Sequence, residues 1–259
     1  MKRVLLRFVI ASAARQSKAV YAALDCFATL AMTMVGCLLL AACAPAASGR
    51  VEAERYDAFF LWAGVKPQPV LARAKTLYLL AGEVRRDGRY VSLRAVPHIG
   101  HGEVWLVVRA QSLDWTPGTE QQVLAELTRW QAAGNRVTGL QVDFDASTKG
   151  LDRYALFLKA LRGKLDPQFK LSTTGLMDWS ANADPAALTS LQGVVDEVVV
   201  QSYQGRTTIP GYAAYLAKLA RVPVPHKVAL VQGGEWSEPA ALKRDPLFRG
   251  YVVFLVNPD

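Results

Sequence analysis

Gly139-Leu140-Gln141-Val142-Asp143-Phe144-Asp145 is the stretch on which the reading of this chain turns. It has strand length, and its alternate residues differ in character. Leu140, Val142 and Phe144 share one side of an extended chain; Gln141, Asp143 and Asp145 share the other. Seven more runs of strand length occur at 56–64, 77–84, 104–111, 170–176, 197–204, 227–233 and 250–257. Most are nearly continuous in apolar residues, as parallel strands covered on both faces are. Eight such runs with helical segments between several of them predict an α/β chain, a single (β/α)8 TIM-type barrel. A doubly wound open sheet ranks second, because such sheets usually hold fewer strands.

Helical spacing supports that count. Thr119 and Gln122 have the spacing of a capping box, followed by Val123, Leu127 and Trp130 on one face and a Gly134-Asn135 stop. Leu151, Tyr154, Leu158, Leu161 and Leu165 predict a helix that ends at Asp166-Pro167. Shorter helices are expected at 185–191 and 212–220. The segments after the first two strands read as irregular, and no helix is expected after the eighth.

Within a closed barrel, Gln141, Asp143 and Asp145 face the interior. That interior is normally filled with branched apolar side chains, and isolated charges there are unfavourable. The polar face also lies toward the strand's C-terminal end, where barrel enzymes carry their sites. Two carboxylates that close repel, which raises one pKa and suits a general acid. A structural network, with Arg109 as an ion-pair partner, is the alternative. In the sixth run, Gln201 and Tyr203 share a parity and bring an amide and a hydroxyl to the same end.

The motif resembles that of family 18 chitinase-like barrels, G-x-D-x-D-x-E, and Gln201-Ser202-Tyr203-Gln204 is similar to their M-x-Y-D. The resemblance implies that Asp145 stands where the general acid stands, that Asp143 orients it, and that Tyr203 holds the reacting amide. Gln141, Asp145 and Gln204 depart from the pattern: an amide replaces the first aspartate, the acid is one methylene shorter, and an amide replaces the last aspartate. Over most of residues 55–258 the chain is more similar to domain-of-unknown-function family 3142. The residues that carry this are 56–62, Gln141–Asp145 and the stretches 171–179 and 195–203. That resemblance implies a glycosidase-like barrel.

Other candidates lie at strand ends. Glu235 follows the seventh run, where many retaining glycosidases place a nucleophile; with Asp145 it would need a carboxyl spacing of about 5–5.5 Å. Trp62, Trp179 and Trp236 sit at or just past predicted strand ends and Trp115 a little beyond one, which fits either core packing or a sugar-stacking rim. Asp178 adds a candidate rim carboxylate. Substrate contacts are thus expected from Gln141, Gln201, Trp62, Arg109, Asp178, Trp179, Glu235 and Trp236, and catalysis from Asp143, Asp145 and Tyr203. His98 and His101 lack metal-ligand spacing, so no metal is expected. Gly233-Gly234 does not open a phosphate-binding fingerprint, and no cofactor is expected.

The first 43 residues read as an export segment. Lys2, Arg3, Arg7, Arg15 and Lys18 precede an apolar run that is short for a membrane span, and Leu40-Ala41-Ala42-Cys43 resembles a bacterial lipobox. Cys43 is the expected lipidation site, residues 44–54 a tether and residues 55–259 the barrel. Ala44 favours an outer-membrane anchor facing the periplasm. Residues 9–33 resemble a translated bacterial intergenic repeat, so the start codon is open. All three cysteines, Cys26, Cys37 and Cys43, lie in this segment, so the domain must be held by packing alone. The +8 formal charge is not gathered into a basic tract, which argues against nucleic acid as a partner. The expected partners are a carbohydrate and, through the lipid, a membrane; the expected state is a monomer.

Overall fold

Eight parallel strands close into a ring: β1 (Ala58–Leu61), β2 (Thr76–Val84), β3 (Glu103–Ala110), β4 (Val137–Asp143), β5 (Lys170–Leu176), β6 (Glu197–Gln201), β7 (His226–Val231) and β8 (Phe248–Phe254). Each pairs in parallel with its neighbours in sequence, and β8 pairs with β1. This computed structural model describes residues 49–258. Cys43, the export segment and residues 44–48 of the expected tether lie outside the described residues. Each of the eight apolar runs holds one barrel strand, and closure excludes the open sheet.

Residues 49–54 are not tether but part of the barrel's outer wall. Gly49–Arg50 pairs antiparallel with Glu235–Trp236, and Val51 exchanges backbone hydrogen bonds with Gly233 and Gly234. Val51 and Ala53 are buried in the outer core, so their apolar area is what holds the segment down.

Helices cover the ring unevenly. α1 (Pro117–Ala132) joins β3 to β4, and α2 (Leu151–Arg162) joins β4 to β5. Three single-turn helices follow: α3 (Asp178–Asn182), α4 (Pro185–Thr189) and α5 (Tyr212–Leu216). After β1 comes only the 3-10 turn Pro69–Arg73, and after β2 the strand Tyr90–Ser92, antiparallel to the end of β2. The cap of α1 is one turn earlier than its spacing predicts. Thr116 Oγ1 accepts from Thr119 N at 3.1 Å, and Pro117 takes the first-turn position that proline favours. Thr119 instead donates its hydroxyl to Gly88 O at 2.6 Å. No helix among the described residues is long and apolar enough to cross a membrane.

The apolar residues divide into two layers. Outside the ring, strand residues such as Leu106, Leu140, Val142 and Val200 meet Leu127, Trp130, Tyr154 and Leu158 from the helices. Inside lie Ala58, Phe60, Tyr78, Leu80, Trp105, Val107, Val199, Ala229 and Val252. Gly139 allows β4 and β5 to approach there; a Cβ on it would sit 2.0 Å from Lys170 O.

An ion pair also lies inside. Lys227 Nζ is 2.8 Å from Glu197 Oε2, and both side chains are largely buried. Tyr78 donates to Glu197 Oε1 at 2.7 Å and accepts from Lys227 at 2.9 Å. Burial, then the Glu197 charge, holds the Tyr78 hydroxyl well above its ordinary pKa. Removing one partner of such a pair strands the other charge. Lys227→Met is therefore expected to lower stability by about 3–5 kcal/mol. Adding Glu197→Gln should recover part of that loss, and urea unfolding of the two variants measures both.

Candidate functional site

The C-terminal ends of the strands form the barrel mouth, and β4 carries the polar column that leads to it. Its register sets two levels. In the lower level Leu80, Val107, Gln141, Ser172 and Glu197 stand side by side from β2 to β6. In the upper level Glu83, Arg109 and Asp143 align on β2, β3 and β4.

Gln141 belongs to the lower level and is fully buried. Its Nε2 donates to Ser172 Oγ at 2.9 Å, and Ser172 Oγ donates to Glu197 Oε1 at 3.4 Å. The expectation that Gln141 contacts substrate is corrected: two residues below Asp143, it braces the interior. Its Oε1 is buried without a hydrogen-bond partner.

Asp143 is the last residue of β4, with 7% of its surface exposed. Thr174 Oγ1 donates to its Oδ1 at 2.9 Å and accepts from Phe144 N at 3.3 Å. Burial pushes its carboxyl up to about 6; the Thr174 bond lowers it, the Asp145 charge raises it and Arg109 lowers it. Asp145 lies past the strand end and is exposed. The inward parity read from the sequence therefore ends at Asp143. Beyond it the chain turns, and Ala146 N donates to Phe144 O at 2.8 Å.

Asp143, Asp145 and Arg109 line one cavity of about 350 Å³, together with Arg86, Ala110, Gln111 and Phe144. Tyr203 stands close enough to both aspartates that their charges, after burial, raise its pKa. Its ring is 5.3 Å from Phe254, and Trp62 is 5.5 Å from Phe254 and 5.9 Å from Phe60. Trp62, Phe254 and Tyr203 thus make an aromatic wall above the inner core. Gln201, the last residue of β6, is half-buried beside it. Arg109 forms no ion pair with either aspartate within 4.0 Å, so the alternative of a structural bridge is not realised.

Other expected contacts belong elsewhere. Trp179 is fully buried in the outer layer, 6.4 Å from Tyr154, and donates Nε1 to Ala146 O at 2.8 Å. It anchors the loop that carries Asp145 and cannot stack on a ligand. Trp236 is packed on Tyr212 at 4.7 Å and on Tyr251 at 5.7 Å in the outer core. Trp115 packs on Phe157 of α2 at 5.0 Å. Glu235 is exposed on the small strand that pairs with Arg50. Asp178 is half-buried at the start of α3; its Oδ1 is buried without a partner, and burial raises its pKa. His98 and His101 tie loops to Ala133 O and Leu71 O.

Arg86, Gln111, Thr174 and Glu83 escaped the sequence reading, Glu83 for a reason of register. Glu83 stands opposite Arg109 and accepts a short hydrogen bond from Gln111. Counting alternate residues from Tyr78 and Leu80 points Glu83 outward. The register shift between Leu80 and Gly82 reverses the parity, and the room for it comes from Gly82, against which the Tyr90 ring packs.

A domain of unknown function, DUF3142, matches residues 110–212, which contain β4 to β6 and most of the polar column. No curated protein matches the chain. Among solved structures, the xylanase-α-amylase inhibitor protein XAIP-I, in complex with trehalose, has a TM-score of 0.51 at 12% identity, covering 78% of this chain and 93% of its own. A chitinase from Bacteroides thetaiotaomicron has a TM-score of 0.48 at 10% identity, covering 68% and 67%. The Bacillus cereus spore cortex-lytic enzyme SleL has a TM-score of 0.48 at 15% identity, covering 67% of this chain and 50% of its own, so this chain spans half the length of that protein. The likeness is one of fold, the (β/α)8 TIM-type barrel.

The raised carboxyl links folding to pH. Asp143 is at about 6 in the folded state against an ordinary 3.8, so between those values the folded state holds a proton that the unfolded state has lost. Stability should therefore fall as pH rises from about 4 to about 6, by roughly 3 kcal/mol in all. Asp143→Asn, which keeps an oxygen for Thr174, should remove this slope and unfold later at pH 7; denaturant midpoints across that range test it.

Proposed function

We propose that this protein is an envelope lipoprotein, held by a lipid on Cys43, that hydrolyses a glycosidic bond at the barrel mouth. The observation that carries the hydrolytic reading is that two carboxyls, a recessed Asp143 and an exposed Asp145, line one cavity at the barrel mouth. A pair of carboxyls at one cleft is what acid catalysis at a glycosidic oxygen uses. In this reading Asp145 gives its proton to the leaving oxygen as the carbon–oxygen bond breaks. Water completes the sugar and returns a proton. Asp143 orients Asp145 and stabilises the developing charge. Tyr203 and Gln201 hold the sugar, whose apolar face lies on the wall of Trp62 and Phe254. Aromatic faces of this kind suit a ring with axial C–H groups.

A second reading has its own support. Asp145 is exposed, one methylene shorter than a glutamate, and held by no hydrogen bond among the described residues. A mouth that binds a glycan without cleaving it needs only the aromatic wall and the polar rim. The neighbour bound to trehalose is named as an inhibitor of enzymes, so the same barrel serves without hydrolysis in another chain.

Full-length protein incubated with a polysaccharide panel separates the two. The hydrolytic reading expects released reducing ends, with Asp145→Asn slower by roughly 10²–10⁴-fold, the range of general-acid contributions. Saturable binding without turnover, weakened by Trp62→Ala, would leave the binding reading standing. Independently, Cys43→Ser is expected to move the protein from the membrane fraction to the soluble one. Mass spectrometry of the wild-type N-terminal peptide should show the acyl groups.

A further inference from the structure

The cavity at the mouth holds cations as well as carboxylates. Arg109 is the last inward residue of β3, and Arg86 sits on the turn between β2 and the strand Tyr90–Ser92. Neighbouring cations are already neutralised: Arg89 is 2.7 Å from Asp87, and Arg153 is 2.8 Å from Asp114. Among the described residues neither Arg86 nor Arg109 has a carboxylate within 4.0 Å. Glu83, which the register sets opposite Arg109, takes its hydrogen bond from Gln111 instead. Asp143 is recessed and bonded to Thr174, and Arg109 acts on it through space without forming an ion pair.

We propose that the mouth takes an anionic polysaccharide, with acidic groups of the chain, uronate carboxylates or sulfate esters, against Arg86 and Arg109. The proposal rests on the glycan reading of the same cavity and narrows its substrate class. A guanidinium offers a planar fork of donors that matches a carboxylate or sulfate edge. A neutral glycan seated there displaces water from two guanidinium groups and returns no charge, which disfavours it.

The test is equilibrium binding of the full-length protein to four probes: oligogalacturonate, its carboxyl-reduced neutral counterpart, dextran sulfate and dextran. At least one anionic probe is expected to bind roughly tenfold or more tighter than its neutral partner, a factor that one charge-assisted contact supplies. Arg86→Gln and Arg109→Gln should each remove most of that preference. Arg249→Gln, near the opposite end of the barrel on β8, should not. Circular dichroism confirms that each variant is folded. Preference for oligogalacturonate identifies a carboxylate, and preference for dextran sulfate a sulfate ester. Equal binding of neutral and anionic probes overturns the proposal and leaves the glycan reading intact. Loss of preference in Arg249→Gln as large as in Arg109→Gln overturns it as well, since the attraction is then diffuse charge. Binding to none of these probes, with binding to another neutral glycan, also overturns it; binding to no glycan at all removes the glycan reading too.

Discussion

Closing eight parallel strands on themselves gives every strand one face that can meet only the other seven. That face has no access to water except at the ends of the ring, so each polar side chain on it must find a partner inside or reach an end. Three arrangements in this chain answer that demand. Glu197 is matched by Lys227 and Tyr78. Gln141 hangs from Ser172. Asp143 takes the hydroxyl of Thr174 and reaches the mouth, with a carboxyl raised by the burial that remains. The site is the upper edge of an interior polar column, and its chemistry depends on how far up that column each group stands.

Much of the ring was legible because the requirement acts locally on each strand. A strand covered on both faces must be apolar along its length, and eight such runs fell where the eight strands are. Parity then assigned Gln141 and Asp143 to the inside from seven residues of sequence. Levels along the axis were not legible, since they come from register between strands that are far apart in the chain. Gln141 and Asp143 share a side and differ by one layer, and that layer separates a brace from a site residue. Glu83 shows the limit of parity itself. One inserted residue next to Gly82 reverses the face of everything after it, and no pattern in β2 announces the bulge.

The tryptophans divide for a related reason. Trp62, Trp179 and Trp236 all follow strand ends, of β1, β5 and β7, but a ring past the end can turn inward over the mouth or outward under the helices. Trp62 turns in because Phe60 and Phe254 already build an aromatic floor there. Trp179 turns out because α2 offers Tyr154, and Trp236 because Tyr212 and Tyr251 form a pocket for it. Apart from Phe60, the partners lie well away in the sequence. Their choice belongs to packing, where area and shape decide and sequence distance does not.

Trp179 nevertheless bears on the site. Its indole nitrogen holds Ala146 O, the residue after Asp145, while Thr174 holds Phe144 N, the residue before it. Asp145 is thus an exposed side chain on a backbone fixed at both sides by residues of β5 and α3. On the proposed reading, a shorter acid on a turn tied at both sides reaches a bond only where the ligand is brought to it. What borders the turn then matters, on that reading, as much as the acid: the aromatic wall of Trp62, Phe254 and Tyr203, and the two arginines that line the cavity. β3 carries Arg109 and β4 ends at Asp143, and their register sets those two side by side, while Asp145 stands beyond it on the turn.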